Sequence, residues 1–334
     1  MDTSVRPALR VRGLSVSFGL SGVEVPAVRH VDLDVPRGEL VALLGESGSG
    51  KSVTARAVMG LAGPGATVSA DEITLGDTDL RAATPRTMRG LRGSRMSLVL
   101  QDALSALNPV LSIGDQLGEL FRIHQGASKR VARAKAADLL GLVGISDPKR
   151  RVGDYPHQFS GGMRQRILIA MAIALEPELL IADEPTTALD VTVQAQILDL
   201  LDSLRSRLDM GVLLITHDLA VVSEVADRLA VMYAGRIVEA GDADTVLSRP
   251  SHPYTEALLR SVPRIEHHGG DLFTIPGAPP NPARAPSGCP FHPRCHRAVE
   301  ECSTVRPELR AVESDGGRTV ACHESEVMLR EHVG

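Results

Sequence analysis

Two stretches of this chain have the residue types and spacing of phosphate-binding loops. The first runs from Gly45 to Ser52 and matches the P-loop pattern G-x-x-x-x-G-K-[ST] at every fixed position. The second is the turn Ser160-Gly161-Gly162. Glycines let backbone N–H groups approach an anion closely, and a helix that begins in such a turn adds partial positive charge. One nucleotide needs one such loop, so two loops predict a nucleotide clamped between two copies of the fold.

The P-loop residues are expected to hold a triphosphate and its metal ion. Lys51 would bind the β- and γ-phosphates as a compact point charge, which a planar guanidinium would not match, and Ser52 would hold Mg²⁺. Lysine is scarce in this chain, whose basic residues are almost all arginine, so its presence here is informative. The backbone of the loop would contact the phosphates at Gly45, Ser47, Gly48 and Gly50.

Two other apolar segments end in side chains that could act on a bound phosphate. Residues 179–182 lead into Asp183 and Glu184, which predicts a carboxylate ligand for Mg²⁺ and a general base for the attacking water. Residues 213–215 lead to His217, which is placed to contact the γ-phosphate or that water. The plainer interpretations are that Asp183 and Glu184 form a solvated acidic turn and that His217 is a structural histidine. The presence of a P-loop in the same chain makes the solvated turn a remote alternative.

Composition and charge exclude several classes of protein. The chain is 43% hydrophobic and 23% charged, as in ordinary globular proteins, and its net charge of -5 argues against a general nucleic-acid binder. With five Phe, three Tyr and no Trp, it has few rings on which bases could stack. No apolar run is long enough to span a membrane, and the first residues lack the apolar core of a signal peptide. We therefore expect a cytoplasmic protein that reaches a membrane only through a partner.

The elements that must position these residues follow from hydrophobic patterning. Residues 9–44 read as β structure, and its last strand leads into the P-loop, with a helix over 52–61 behind it. Apolar residues at helical spacing predict a helical insertion over about 104–157. Alternating elements then predict a parallel sheet with helices on both faces: helix 161–175, strand 178–183, helix 191–208, strand 211–216, helix 219–227 and strand 229–233.

Together these motifs resemble the ATP-binding subunit of an ATP-binding cassette (ABC) transporter over about residues 8–250. The resemblance implies an α/β fold of the P-loop NTPase class. Its expected parts are a RecA-like parallel sheet core, an N-terminal antiparallel β subdomain and a helical subdomain at about 104–157. The predicted domains are the nucleotide-binding domain, 1–250, and a small Cys/Pro-rich C-terminal domain, 251–334.

The resemblance also implies roles for residues that spacing alone does not assign. Gln101 matches the family's glutamine that senses the γ-phosphate and contacts Mg²⁺, and Phe18 matches the aromatic ring that lies against adenine. Asp190 matches the aspartate of the D-loop, and His217 matches the switch histidine. Ser160-Gly161-Gly162 matches the signature loop, which in a head-to-tail dimer binds the partner's ATP. The family's usual signature has glutamine after this turn, and this chain has Met163, so a side-chain amide contact is altered there.

Within the family, the chain looks like the D-type subunit of the oligopeptide/dipeptide importer branch. The similarity lies in residues 101–109, 163–166 and 252–255 and in the Pro/Cys-rich tail. It implies a second ABC ATPase subunit, in a heterodimer, under two membrane permeases that an extracytoplasmic peptide-binding protein supplies. The ATPase would then sit peripherally at the cytoplasmic face of the membrane, with no nucleic-acid partner.

All four cysteines fall in the last part of the chain, at Cys289, Cys295, Cys302 and Cys322. In a cytosolic protein such a group suggests metal rather than disulfides, although the gaps are not the C-x₂-C pairs typical of structural zinc. Four thiolates could hold a [4Fe–4S] cluster or a tetrahedral zinc, and free thiols or a redox-dependent disulfide are the remaining alternatives. The resemblance to the peptide-importer branch favours the [4Fe–4S] cluster.

The leading functional hypothesis is an ATPase subunit that powers import of dipeptides or oligopeptides. One rival lies in the same branch, namely import of nickel, glutathione or another small solute. A rival of another class is a non-transport ABC ATPase of DNA repair or translation. Such proteins carry two cassettes or long coiled-coil insertions, and this chain has one cassette and an acidic balance. A catalytically inactive partner is disfavoured because every catalytic position is filled.

Overall fold

The computed structural model describes residues 6–20, 23–100, 106–187, 189–262, 273–312 and 317–331. The chain divides into two compact units, each built from separate stretches of sequence. The first unit comprises residues 1–9, 35–39 and 75–214, and the second unit comprises residues 10–34, 40–74 and 215–334.

The second unit contains the antiparallel strands predicted near the N-terminus. Strand β1 (Leu9–Leu20) lies between β2 (Val23–Val35) and β5 (Glu72–Leu75), and β4 (Ala66–Ser69) also pairs with β1 in the antiparallel sense. The predicted β structure over 9–44 is therefore confirmed. Polar and apolar residues alternate along these strands because one face of each is buried.

A second group of strands in this unit has the order β12-β13-β11-β10-β3. The pairing of β3 (Leu40–Leu44) with β10 (Arg228–Tyr233) is parallel, and all five residues of β3 are buried. Strand β11 (Arg236–Asp242) adds to β10 in the antiparallel sense. Within the predicted Cys/Pro-rich C-terminal domain, β12 (Arg310–Ala311) and β13 (Thr319–Val320) continue this sheet beyond β11, and no strand had been predicted there.

The helices of the second unit are short. Five of them are described: α1 (Lys51–Val58), α8 (Leu219–Val225), α9 (Ala243–Ser248), α10 (Pro253–Arg260) and α11 (Ser325–Glu331). The predicted helix over 52–61 ends early, because Gly60 has a φ of 63° and Leu61 N–H bonds back to the carbonyl of Arg56. A left-handed residue of this kind terminates a helix.

A buried ion pair ties the chain beyond residue 248 to the sheet of the second unit. Arg318 is 1% exposed and pairs with Glu239 of β11, which is fully buried. Glu239 also accepts backbone N–H groups of Ser251 at 2.7 Å and His252 at 3.2 Å. Burial raises the pKa of Glu239, while the charge and hydrogen bond of Arg318 oppose that shift. Such a carboxylate is tolerated in a core only when its oxygens are bonded, so this network fixes where α10 begins.

The first unit contains the helical insertion and a strand order β9-β8-β7. Strand β7 (Met96–Val99) pairs in parallel with β8 (Leu179–Asp183). Two further strands and six α-helices also belong to this unit: β6 (Thr78–Asp79), α2 (Pro85–Leu91), α3 (Ile113–Gln125), α4 (Lys129–Leu142), α5 (Pro148–Arg151), α6 (Gly161–Ile173), α7 (Val191–Leu208) and β9 (Gly211–Thr216). The predictions of helix 191–208 and strand 211–216 are confirmed at both ends.

Helices α3 and α4 form the insertion predicted over about 104–157. Phe121 of α3 and Ala132 of α4 pack with Ala174, just beyond the end of α6, in one small hydrophobic cluster. Ser112 and Ser128 cap the two helices by accepting N–H groups of Asp115 and Val131, which satisfies donors that have no partner inside the helix. The helical content of this region is therefore confirmed, with residues 104 and 105 outside the described part.

Candidate active site

The P-loop joins β3 to α1 in the second unit. Lys51 is the first residue of α1 and is only 5% exposed. Its Nζ donates to the carbonyl oxygens of Gly45 at 2.6 Å and Glu46 at 3.0 Å, with Ser49 Oγ at 3.5 Å. The loop therefore wraps around the ammonium group, so the charge is fixed by backbone carbonyls at the start of a helix, where N–H groups favour an anion.

Two glycines of this loop are required by close backbone contacts. A Cβ atom at Gly45 would lie 2.2 Å from the carbonyl oxygen of Met232 on β10. Gly50 has a φ of 110°, and a Cβ there would lie 2.7 Å from the carbonyl oxygen of Ala27. Because the backbone of the loop lies directly against neighbouring backbone, only glycine fits at these positions.

The other predicted residues of the second unit lie on separate elements. His217 follows β9 and is exposed, and the next residue, Asp218, caps α8 by accepting Ala220 N–H at 2.8 Å. Phe18 lies half-buried on β1, opposite Ala66 of β4. The assigned contacts of His217 with the γ-phosphate and of Phe18 with adenine remain predictions.

In the first unit, β8 ends at the two predicted carboxylates. Asp183 is 5% exposed, whereas Glu184 is half-buried and has a φ of 50°. Glu184 Oε2 accepts a hydrogen bond from Thr187 Oγ1 at 3.0 Å. A left-handed backbone costs a non-glycine residue on the order of 1 kcal/mol or more, and such strain concentrates at functional sites. The turn thus holds the Glu184 carboxylate in one orientation directly after a buried strand.

The predicted signature loop and Asp190 come together in the first unit. Ser160 caps α6 by accepting Met163 N–H at 3.3 Å, and Asp190 caps α7 by accepting Val193 N–H at 2.9 Å. A Cβ atom at Gly162 would lie 2.5 Å from Val193 Cγ1, whereas one at Gly161 would meet nothing nearer than 3.8 Å. The first turns of the two helices are therefore in direct contact, and the contact requires the glycine at 162.

Gln101 lies outside the described residues, so its predicted contact with Mg²⁺ and the γ-phosphate has no structural counterpart here. The same applies to Ala188, which precedes Asp190 in the predicted D-loop.

Sequence reasoning missed two residues that hold the P-loop from outside, Arg294 and Tyr254. Arg294 makes two hydrogen bonds to the carboxylate of Glu46, at 2.7 and 3.0 Å. The hydroxyl of Tyr254 accepts the backbone N–H of the same Glu46 at 2.9 Å. Glu46 occupies an unrestricted position of the motif, and its partners lie more than 200 residues further along the chain. Spacing gives no signal for such contacts.

The four cysteines line one small cavity in the second unit. Cys289 and Cys302 are buried in a hydrophobic cluster with Tyr254 and Phe291, and all four side chains are free thiols. Burial raises the pKa of Cys289, and raises that of Cys295 to about 11 and that of Cys322 to about 12. Without a bound cation, Cys289, Cys295 and Cys322 would therefore stay protonated at neutral pH.

The side chains that line the cysteine cavity are of a type that binds metal ions, but they are not arranged as the ligands of one ion. Within the described residues, no three His, Cys, Asp or Glu side chains are placed as ligands of one ion. The cavity has a volume of about 10 Å³, which is roughly the space of one water molecule. The structure thus gives no support to the [4Fe–4S] cluster predicted from the sequence, although it does bring the four thiols together.

Among the helices that the structure describes, none combines the length and the apolar character needed to cross a membrane.

Comparison with known proteins identifies both parts of the chain. The ABC transporter family model matches residues 28–187, and the model of the oligopeptide/dipeptide transporter C-terminal region matches residues 238–302. The chain is 50% identical over 315 residues to the dipeptide transport ATP-binding protein DppD of Bacillus subtilis (strain 168), covering 94% of this chain and 93% of that protein. Identity to DppD of Escherichia coli (strain K12) is 45% over 315 residues, with 94% and 96% covered.

The fold has counterparts among solved structures. The dimeric structure of MJ0796, a bacterial ABC transporter cassette, superposes with a TM-score of 0.63 at 24% identity, covering 70% of this chain and 98% of that chain. CbiO1 from Clostridium perfringens, part of the ABC transporter complex cbiONQ, gives a TM-score of 0.62 at 24% identity, with 73% and 91% covered. With the P-loop, the carboxylates at the end of β8 and the matched C-terminal region, this chain belongs to the ABC transporter family as one of its ATP-binding proteins.

Proposed function

We propose that this chain is the ATP-hydrolysing subunit of an importer of dipeptides or oligopeptides. The observation that carries the proposal is the presence, in one chain, of a P-loop cassette and the oligopeptide/dipeptide transporter C-terminal region. The dipeptide transport ATP-binding proteins match it along nearly their whole length, which supports the peptide as the transported solute. Such a cassette works on ATP with Mg²⁺, and hydrolysis drives the transport cycle.

The proposed chemistry assigns phosphate and metal binding to four residues. Lys51 binds the β- and γ-phosphates, and Ser52, Asp183 and Gln101 supply oxygen ligands for Mg²⁺. The oxygens of Ser52 and the buried carboxylate of Asp183 fit this hard cation. Magnesium, when bound, neutralises charge that develops on the phosphate oxygens.

A second set of residues is proposed to act on the attacking water and to contact the γ-phosphate, the adenine ring and the ATP of a second cassette. Glu184 accepts the proton of the water, His217 and Gln101 contact the γ-phosphate, and Phe18 lies against adenine. Ser160, Gly161 and Gly162 bind an ATP that is held by the P-loop of a second cassette, and Asp190 supports that interface. The close approach of Gly162 to Val193, next to the cap that Asp190 makes, supports placing the signature and D-loop positions at one interface.

The proposed partners follow from this assignment. A second ABC ATPase subunit completes the pair of nucleotide sites, two permeases carry the solute, and an extracytoplasmic peptide-binding protein supplies them. The chain then works as a peripheral protein at the cytoplasmic face of the membrane. The predicted division into a nucleotide-binding domain, 1–250, and a C-terminal domain, 251–334, is part of the same proposal.

Uptake by a reconstituted transporter tests the peptide assignment. The chain is purified with its partner ATPase and permeases, placed in proteoliposomes, and supplied with the binding protein and a labelled dipeptide. We expect ATP-dependent accumulation of the dipeptide, and none when the chain carries Glu184→Gln. If ATP drives uptake of nickel or glutathione but not of peptides, the proposed peptide substrate is wrong. ATPase activity in isolation, with no coupling to any permease, would favour the non-transport alternative.

A metal centre at the four cysteines is the second part of the proposal. The resemblance to the peptide-importer branch favours a [4Fe–4S] cluster, and the convergence of the four thiols on one cavity supports metal binding as such. Zinc is the alternative occupant, because a single tetrahedral ion needs only four thiolates and little space. Either metal would stabilise a segment rich in loops by binding only its folded form.

Metal analysis of anaerobically purified protein decides between these occupants. We expect iron and acid-labile sulfide in equal amounts, absorbance in the visible cluster band, and loss of both in Cys302→Ser. Ser303→Ala, which changes the neighbouring half-buried residue that does not line the cavity, should keep them. Zinc at one ion per chain with no iron would overturn the cluster, and a chain with neither metal would leave the cysteines as thiols.

A further inference from the structure

Arg294 contacts the P-loop although it lies in the part of the chain that carries the four cysteines, residues 289–322, here called the cysteine segment. It ends a short 3₁₀ helix, His292–Arg294, between Cys289 and Cys295. Its side chain is 5% exposed, and Nη1 and Nη2 donate to Oε2 and Oε1 of Glu46 at 2.7 and 3.0 Å. This two-point geometry is the arrangement in which a guanidinium binds a carboxylate most strongly and most specifically.

The guanidinium is itself held from several sides. Its Nε donates to the carbonyl oxygen of Pro276 at 2.8 Å, and Nη1 also reaches the hydroxyl of Tyr233 at 3.3 Å. The hydrogen bonds to Glu46 raise the pKa of Arg294, with Tyr233 contributing in the same direction. The Arg294–Glu46 pair is therefore more than a surface ion pair, because one partner is almost fully buried and the hydrogen bonds are directed.

Glu46 in turn contacts the catalytic lysine. Its carbonyl oxygen accepts the Lys51 ammonium at 3.0 Å, while its N–H donates to Tyr254 Oη at 2.9 Å. The backbone and carboxylate of this one loop residue are thus bonded to Lys51, Tyr254 and Arg294. A shift of Glu46 would change the position of the carbonyl that orients the Lys51 ammonium.

We propose that Arg294 is a positioning residue for ATP binding, which holds the P-loop through Glu46 and so couples the cysteine segment to the nucleotide site. The proposal rests on the ATPase activity of the cassette and not on the identity of the transported solute or of any metal. It gives the C-terminal segment a role in the chemistry that its sequence distance from the P-loop would not suggest.

Steady-state ATPase kinetics of the full chain test the coupling. Arg294→Ala should raise the KM for ATP by about 10-fold, as expected for loss of hydrogen bonds between charged groups, with a smaller change in kcat. Arg294→Lys keeps the charge but cannot make both bonds, so it should restore the KM only in part. Arg297→Ala is the matched control, because this neighbouring arginine pairs with Glu331 instead of the P-loop.

A double-mutant cycle separates positioning from a general loss of stability. Glu46→Gln alone should raise the KM as Arg294→Ala does, and the double variant should be no worse than either single one. Thermal unfolding of each variant controls for folding, and Glu46→Gln decides the matter if Arg294→Ala does not fold. A wild-type KM in folded Glu46→Gln, additive effects in the double variant, or an equal rise in Arg297→Ala would overturn the proposal.

Discussion

Glu184→Gln is expected to leave ATP binding intact and to lower the hydrolysis rate by about 100-fold or more. A positioned general base contributes roughly 100-fold to 10,000-fold, and an amide cannot accept the proton of the attacking water. The substitution is isosteric, and the amide oxygen can still accept the hydrogen bond from Thr187. It also keeps the same left-handed backbone, so the turn after β8 should retain its geometry.

Two measurements distinguish loss of chemistry from loss of binding in this variant. ATP affinity is measured by titration under conditions without turnover, and phosphate release is followed in a single turnover. Asp199→Asn, which removes an exposed carboxylate from the middle of α7, serves as the control and should match the unmodified chain. Unchanged turnover in Glu184→Gln would show that another group acts as the base.

Lys51→Ala, by contrast, is expected to weaken ATP binding and to lower the hydrolysis rate together. The ammonium is buried, and it donates to the carbonyls of Gly45 and Glu46. Its removal takes away the charge that binds the phosphates and the contacts that shape the loop around it. Two charge-assisted hydrogen bonds at about 1.5 kcal/mol each correspond to a loss of affinity on the order of 100-fold.

The same nucleotide titration applied to two further variants tests the reason for this loss. Lys51→Arg should also bind ATP weakly, because a planar guanidinium does not fit the space that the loop leaves for a compact ammonium. Lys149→Ala, at an exposed position on α5, should bind normally. Near-normal affinity in Lys51→Ala would contradict the assignment of this lysine to the phosphates.

The regular elements of the cassette could be predicted because their signals are local. Alternating and continuous apolar runs marked the strands, and the helix over 191–208 and the strand over 211–216 have the predicted bounds. The predicted helix over 161–175 ends at Ile173, and the predicted strand over 178–183 begins at Leu179. Boundaries depend on the backbone conformation of single residues, and hydrophobic patterning does not report that conformation.

The role of the C-terminal segment was not predictable in the same way. It was predicted only as a small Cys/Pro-rich domain, yet Tyr254, Phe291 and Cys289 pack against residues of β3 and β10 in one hydrophobic cluster. Strands β12 and β13 extend the sheet with two residues each, too few for a periodic pattern. The segment is short of apolar residues because it shares the core of the second unit.

The sequence by itself determined the chemistry of this protein: a P-loop with its lysine, two carboxylates after a buried strand, and a second Gly-rich turn. These motifs are contiguous, so their residue types and spacing carry the information. Only the tertiary structure decided that Arg294 and Tyr254 hold Glu46, and that four separated cysteines line one cavity. Contacts between distant positions depend on how the elements pack against each other. Such packing does not produce a periodic pattern in the sequence around either partner residue.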